Sequence, residues 1–217
     1  MNLNFDNKVF RALGKIVDCF VLTFLWLICC IPIITIGAST TAFYYTTHKV
    51  IRRSRGYLLS SFFASFRENF KQTTVLWLII LLIHLVLVYD LVTMYTVLMA
   101  GNSIGYLFYA FLVLSALVMI WSMYVFAYAA RFSNTNRAIL KNCAIIAVVN
   151  IPASLLVLVL VFCSGVLVYF FPPLLFLVPA FTFISFDLIL EKVFRKYMSA
   201  EDLAAEEEDD RMDLQED

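Results

Sequence analysis

Charged residues are scarce in this sequence. Only 15% of the 217 residues are charged, whereas 63% are hydrophobic, and the mean hydropathy is +0.89. Soluble proteins average about 25% charged and about 45–50% apolar residues. This composition excludes a soluble enzyme, a disordered chain and a secreted disulfide scaffold, and it indicates an integral membrane protein.

The signatures of common catalytic sites are also missing. The sequence has no GxxxxGK[ST] phosphate loop, no HExxH motif and no GxSxG motif. Its five cysteines lack CxxC spacing, so we interpret them as small packed apolar residues. We therefore predict no catalytic residues, no metal and no cofactor, and we expect a protein that is not an enzyme. No nucleic-acid partner is predicted, and the sequence leaves the oligomeric state open.

The formal net charge of zero combines two oppositely charged parts. Sixteen basic residues balance sixteen acidic ones, but ten of the acids lie within residues 201–217. Residues 1–200 therefore carry fifteen basic and six acidic side chains, a net charge of +9. The acidic segment is too charged to fold alone, and we predict a disordered cytoplasmic tail over 199–217.

Long apolar runs predict an all-α membrane protein, a polytopic transmembrane helix bundle with one domain over residues 1–198. A span needs about 20 apolar residues to cross about 30 Å of hydrocarbon. We predict six spans, at about 16–31, 33–51, 74–99, 106–130, 143–169 and 174–190. Because 16–31 is short and 33–51 is rich in threonine, five spans are the alternative. A hairpin that enters the membrane only partly and turns at Pro32 is a third arrangement.

The distribution of basic residues favours six spans. These residues fall in four groups, within 8–15, 49–71, 131–141 and 192–211, whereas the connections near 32–37, 100–105 and 170–173 contain none. If 33–51 crosses the membrane, all sixteen lie on one side, which the positive-inside rule assigns to the cytoplasm. We therefore predict a multi-pass protein with both termini in the cytoplasm.

A short amphipathic helix is predicted between the second and third spans, at 57–71. Its apolar stripe recurs every four residues, at Leu58, Phe62, Phe66 and Phe70. A basic surface accompanies it, formed by Arg52, Arg53, Arg55, Arg67 and Lys71. We predict that this helix lies on anionic headgroups at the cytoplasmic interface and ends at 69–72. Docking beneath the bundle and contact with a partner protein are the alternatives.

Three ionisable residues fall in or near the hydrocarbon, where such residues are candidate functional sites. The candidate intramembrane site comprises Asp90, Thr93 on the same helix face, and His84, which points to another face. Structural roles are the alternatives, a hydrogen bond between helices for Asp90 and a neutral core residue for His84. We interpret the third, Asp187, near Glu191, as an anchor at the inner end of the last span.

Two prolines lie inside the predicted fifth and sixth spans. Pro152, which follows Asn150, and Pro179 both predict kinks, because proline lacks the backbone N–H of a regular helix. A broken-helix substrate site of the kind found in secondary transporters is the alternative interpretation.

One stretch of the sequence carries a family resemblance. Residues 32–42 read PIITIGASTTA, and they are followed by Tyr44-Tyr45, by Phe62 and Phe66, and by NFKQ at 69–72. This pattern resembles the N-terminal signature of the YesL-like family, small bacterial membrane proteins grouped as a domain of unknown function. The resemblance covers about the first 75 residues. Family genes commonly lie beside those for carbohydrate ABC importers and glycan-degrading enzymes, so it implies a role in sugar or oligosaccharide uptake at the bacterial cytoplasmic membrane.

The centre of this signature also has a physical interpretation. We call Pro32, Thr35, Gly37, Ser39 and Thr40 the signature turn. Proline and glycine favour a tight turn, which we place on the outer side, and Ser39 or Thr40 is predicted to cap the returning helix. The family itself provides no established catalytic or binding residues.

Two functions follow as hypotheses. The first is an accessory or regulatory component of a carbohydrate ABC importer, with the lipid bilayer and permease or solute-binding subunits as partners. It is favoured by the family's gene neighbours and by the lack of a nucleotide site. The alternative is a small stand-alone transporter of a sugar-related solute, for which Asp90, the threonine-rich segment and the kinking prolines are the candidate features.

Overall fold

The computed structural model describes residues 8–198 and 203–204, with side chains from residue 13 onward. Within these residues the fold is helical and contains no strand. The α-helices are α1 (Lys8–Cys30), α2 (Ile36–Thr46), α3 (Leu58–Met99), α4 (Leu107–Arg131), α5 (Asn136–Val149), α6 (Ile151–Phe170) and α7 (Val178–Phe194). Short 3-10 turns occupy Ile33–Thr35, Ser103–Tyr106 and Pro172–Phe176, and a π-helical turn over Thr47–Arg52 extends α2. Apart from 203–204, the predicted tail at 199–217 lies outside the described residues.

Four described helices are long and apolar enough to cross a membrane. They contain the candidate spans Leu13–Cys30, Leu58–Met99, Ser103–Arg131 and Ile151–Phe170. Their outward surfaces carry large apolar side chains, such as Leu82 and Phe162, which are 64% and 71% exposed. Exposed apolar surface on this scale is expected when lipid rather than water surrounds the helices. The fold is therefore that of a helical membrane protein.

Helix α3 is much longer than a single span. Its 42 residues correspond to about 63 Å, roughly twice the thickness of the hydrocarbon core. No glycine or proline occurs between Gly56 and Gly101, and both of these glycines adopt positive φ angles, +75° and +77°. Because nothing in between breaks the helix, the segment 57–71 is not a separate helix, and our prediction that it ends at 69–72 is wrong.

The apolar stripe of 57–71 contacts protein along its first turns. Leu58 and Phe62 are 9% and 0% exposed and pack in one cluster with Leu22 of α1 and Phe43 of α2. Phe66 is half-buried beside them. The predicted placement on lipid headgroups is therefore not confirmed, and for Leu58 and Phe62 the docking alternative describes the observed packing.

Two glycine contacts show how the turns are placed along α3. A Cβ at Gly37 would lie 2.5 Å from the carbonyl oxygen of Thr73 and 2.6 Å from Trp77 Cβ, whereas Gly105 packs closely on Leu98. Thr73 and Leu98 are separated by about 37 Å of helix axis, more than the hydrocarbon thickness of about 30 Å. The six-span prediction requires both turns at the same membrane surface, and this geometry does not confirm it.

The signature turn is closed by hydrogen bonds that differ from the predicted cap. Thr35 Oγ1 donates to the carbonyl oxygens of Cys29 and Pro32, at 2.6 and 2.7 Å. Ser39 Oγ donates to the Trp26 carbonyl at 3.2 Å, and Trp26 Nε1 donates to Thr40 Oγ1 at 3.3 Å. Ser39 and Thr40 therefore join α2 to α1 and do not cap α2.

The two prolines have different effects. The predicted fifth span, 143–169, is split between α5 and α6 at Asn150, whose backbone departs from helical geometry at φ −107° and ψ 52°. This break agrees with the bend expected from Pro152. Pro179, like Pro152, is the second residue of its helix, but α7 follows a short 3-10 turn and not another α-helix. Pro179 therefore begins a helix and does not bend one, and our prediction of a kink within a span there is wrong.

We expect Gly37→Ala to destabilise the fold. The new methyl group would overlap the backbone of Thr73, and overpacking of this kind costs about 1–3 kcal/mol. Thermal unfolding in detergent, followed by tryptophan fluorescence, should show a lower midpoint. Gly165→Ala is the matched control, because no atom lies within 4 Å of the position that its new methyl group would take; equal midpoints for the two variants would contradict the contact.

We also expect that the turns at 31–35 and 101–105 do not share a membrane side. Cysteines introduced at the exposed positions Ile34 and Ser103, with the exposed Cys163 replaced by serine, can be labelled with an impermeant thiol reagent. The reagent that reaches Ser103→Cys from one side of sealed vesicles should not reach Ile34→Cys from that side. Labelling of both from the same side would restore the six-span arrangement.

Candidate functional site

A group of buried polar residues joins α2, α4 and α7. Tyr44, His48 and Arg52 recur every four residues along α2 and its π-helical turn, and Asp187 and Glu191 are four residues apart on α7. Residues with this spacing lie on the same side of a helix. With Arg131, the last residue of α4, these six residues form what we call the charge network.

Asp187 is bound by two side chains from the end of α2. Its Oδ1 lies 2.7 Å from His48 Nδ1, and its Oδ2 accepts a 2.6 Å hydrogen bond from Arg52 Nη1. The carboxylate has no exposed surface, whereas the Arg52 side chain is 33% exposed. Partial burial would lower the pKa of Arg52, but the hydrogen bond and the charge of Asp187 outweigh it and raise that pKa.

Glu191 is bound mainly by Arg131. Arg131 Nη2 donates to Glu191 Oε2 at 2.9 Å, and Arg131 Nε lies 2.9 Å from Oε1. The Tyr44 hydroxyl, which is fully buried, donates to the same Oε1 at 3.4 Å. Two carboxylates thus face two guanidinium groups, so the formal charges of the buried network cancel. Such compensation is required because an unpaired buried charge is strongly destabilising.

His48 lies between the two carboxylates. Its Nδ1 is 2.7 Å from Asp187 and 3.7 Å from Glu191, and its side chain is 5% exposed. The short contact assigns the proton to Nδ1, which donates to the carboxylate. Nε2 is then an acceptor, and it is buried with no hydrogen-bond partner among the described residues.

The donor atoms of the network are also close enough for a metal ion. Ligand atoms of His48, Asp187 and Glu191 lie within 4.8 Å of one another, and imidazole with carboxylates is a common ligand set for transition metals. Both carboxylates, however, are already paired with Arg52 and Arg131. A divalent cation would meet two fixed positive charges in a buried space, so the arrangement fits a self-compensated network better than a metal centre.

A polar cavity of about 650 Å³ adjoins the network. Its wall is formed by Tyr45, by side chains within 65–72 of α3, and by residues 129–135, which end α4 and connect it to α5. Arg131 belongs to this wall as well as to the charge network. We call this space the polar cavity. It brings amide, hydroxyl, carboxylate and guanidinium groups together at one surface.

The predicted intramembrane site is not assembled. His84 Nδ1 lies 2.9 Å from the carbonyl oxygen of Ile80, and His84 lines a second, largely apolar cavity of about 640 Å³. Asp90 and Thr93 lie further along α3, outside this lining, and Thr93 Oγ1 donates to the Tyr89 carbonyl at 2.8 Å. The structure therefore does not bring His84 together with Asp90 and Thr93, which are three residues apart on α3.

The predicted basic surface is divided. Arg67 and Lys71 are exposed on α3 and line a groove with neighbouring phenylalanines. Arg53 and Arg55 are half-buried. The guanidinium of Arg52 instead belongs to the charge network.

Two of the residues that matter most were missed or underestimated in the sequence. His48 was not a candidate, and Asp187 was interpreted only as a helix-end anchor. The spacing of these residues contained a signal. Tyr44, His48 and Arg52 recur at four-residue intervals, and the two acids Asp187 and Glu191 have the same interval. What the sequence does not show is that the two rows face each other.

We expect Glu191→Gln to destabilise the protein by about 3–5 kcal/mol, because it leaves Arg131 as a buried charge without this carboxylate. The double variant Arg131→Gln with Glu191→Gln should lose less than the sum of the single losses. Chemical or thermal unfolding in detergent provides the measurement. Glu68→Gln, at an exposed acid on α3, is the control and should leave the unfolding midpoint unchanged; a strictly additive double variant would argue against the ion pair.

Comparison with known proteins gives one match. A family model described as "Protein of unknown function, DUF624" matches residues 19–91. No curated protein matches the chain, and no solved structure matches it. The matched segment covers about a third of the chain and includes the signature turn, His48 and Arg52, whereas their partners Arg131, Asp187 and Glu191 lie outside it. The charge network therefore connects the matched segment to the remainder of the bundle.

Proposed function

We propose that the protein is an accessory or regulatory component of a carbohydrate ABC importer in the bacterial cytoplasmic membrane. The structural support is Arg131, which belongs both to the polar cavity and to the buried network that joins α2, α4 and α7. A solute or partner that contacts Arg131 at the cavity can influence the packing of three helices. Coupling between a surface site and helix packing is what a regulatory component requires.

The carbohydrate class rests on the resemblance of residues 32–72 to the YesL-like family and on that family's gene neighbours. The match to a family of unknown function over residues 19–91 supports the assignment of this segment to a domain of unknown function, and the carbohydrate class rests on the resemblance alone. We propose the orientation from the positive-inside rule, which places the polar cavity and the basic residues around it on the cytoplasmic side. The permease and solute-binding subunits of the importer are the proposed partners.

The accessory role is better supported than stand-alone transport. The 640 Å³ cavity that includes His84 is lined mainly by apolar side chains of α3, α4, α6 and α7. A sugar that entered it would lose hydrogen bonds to water without replacing most of them, which is costly. Asp90, the residue that suggested a transport site, lies outside that lining.

Affinity purification in mild detergent at native expression tests this proposal. We expect permease or solute-binding subunits of a carbohydrate importer to co-purify with the tagged protein. A tagged, unrelated membrane protein expressed at the same level is the control for non-specific recovery. Recovery of the protein without importer subunits, together with sugar uptake that is unchanged when its gene is deleted, would reject the accessory role.

A further inference from the structure

We propose that the polar cavity is a binding site for a neutral, hydroxyl-rich small molecule of monosaccharide or disaccharide size. This inference rests on the proposed function for its biological setting, but its physical basis is the cavity itself. The volume of about 650 Å³ lies within the range of about 300–1,000 Å³ that is usual for small-molecule sites. Charge, hydrogen-bonding capacity and aromatic surface each narrow the class of ligand.

The charges on the wall favour a neutral ligand. Among the described lining residues, the ionised side chains are Arg131 and Glu68. These two side chains carry opposite charges, so the lining has no net formal charge. An anion in the cavity would be repelled by Glu68, and a cation would be repelled by Arg131. A ligand without net charge avoids both costs.

The uncharged polar groups suit a ligand with hydroxyl groups, each of which is both a donor and an acceptor. Asn69 Nδ2 donates to the Ser65 carbonyl at 3.1 Å, and Gln72 Nε2 donates to the Asn134 carbonyl. These bonds fix both amide planes and leave their carbonyl oxygens as acceptors. Ser133 and Thr135 add hydroxyl groups at the exposed edge of the cavity.

Aromatic rings complete the wall. Tyr45 and Phe132 both line the cavity, and the Tyr45 hydroxyl accepts a hydrogen bond from Lys49 Nζ at 3.3 Å. Their side chains add some apolar surface to a wall that is otherwise mainly polar. This surface can contact the C–H groups of a sugar ring while the amides and hydroxyls bind its polar groups.

Arg131 provides a link from the ligand to the fold. It lines the cavity, and its Nη2 donates a 2.9 Å hydrogen bond to Glu191 Oε2 of α7, while Nε lies within ion-pair distance of Oε1. A neutral ligand in the cavity packs beside this ion pair and carries no charge that would compete for either partner. Binding would thereby keep Arg131 in place and stabilise the connection between α4 and α7.

The test measures binding of purified full-length protein in nanodiscs by calorimetry, with no importer subunit present. The panel comprises neutral sugars and polyols (glucose, xylose, maltose and inositol) and charged analogues (glucuronate, glucosamine and inorganic phosphate). We expect saturable binding of at least one neutral compound. Ser133→Trp, which fills the exposed edge of the cavity, should weaken it at least tenfold. Glu68→Ala, which removes a carboxylate that can accept hydrogen bonds from the ligand's hydroxyl groups, should weaken it three- to tenfold. Ser103→Trp is the matched control, because Ser103 lies in an exposed turn before α4 and does not line the polar cavity. This variant should bind the sugar as the unmodified protein does.

The outcomes separate this inference from the proposed function. No saturable binding of any neutral compound, a preference for a charged compound, or binding that Ser133→Trp and Glu68→Ala leave unchanged would each overturn the site. Unfolding midpoints equal to that of the unmodified protein exclude misfolding as the cause of lost binding. Sugar binding, with no importer co-purification and with uptake unchanged by gene deletion, would reject the accessory role and retain the site. Co-purification without sugar binding would retain the accessory role and reject the site.

Discussion

The arrangement of the bundle depends on two buried acids on one helix. Asp187 and Glu191 are 0% and 3% exposed, and neither could remain ionised there without donors close by. The donors come from helices distant in the sequence, Arg52 and His48 at the end of α2 and Arg131 at the end of α4. This requirement fixes the end of α2 against α7. It also gives a reason for the π-helical turn over Thr47–Arg52, because such turns change the direction of side chains and often occur at functional sites.

The same pairing explains why charge counting alone gives an incomplete threading. The positive-inside rule treats every arginine as a residue that stays on the cytoplasmic side because it cannot cross, but Arg52 and Arg131 are held by buried carboxylates within the bundle. The rule also predicts only the side of the membrane on which a loop lies, and not how deep in the membrane a turn lies. It cannot detect that the turn at Gly37 packs near the middle of α3, whereas the turn at Gly105 packs near its end. Hydropathy and charge therefore identify a membrane bundle, while the depth of the α1–α2 hairpin depends on contacts.

Local features of the sequence explain much of the secondary structure, but they do not predict the contacts between residues distant in the sequence. Gly56 and Gly101 bound α3, and Asn150 with Pro152 separates α5 from α6. Each of these helix boundaries can be understood from the dihedral preferences of the residues that form it. The separate helix at 57–71 was wrong because no glycine or proline interrupts α3 between Gly56 and Gly101. Its placement on headgroups was not confirmed because amphipathic periodicity says which face is apolar but not what covers it, and Phe62 is covered by α1 and α2. The pair His48 and Asp187 is separated by 139 positions. One sequence contains no information that selects this pair over other acids and bases.

The two cavities differ in a way that bears on function. They have similar volumes, about 640 and 650 Å³, but only the polar cavity contains a residue of the charge network. Because a buried ion pair is costly to break, a ligand that had to displace Glu191 from Arg131 would bind weakly. A ligand that binds beside the intact ion pair does not incur that cost, and it favours the conformation in which α4 and α7 are joined. Neutral hydroxyl groups can bind in this way, which is why we propose that the charge balance of the fold also selects the ligand class of the polar cavity.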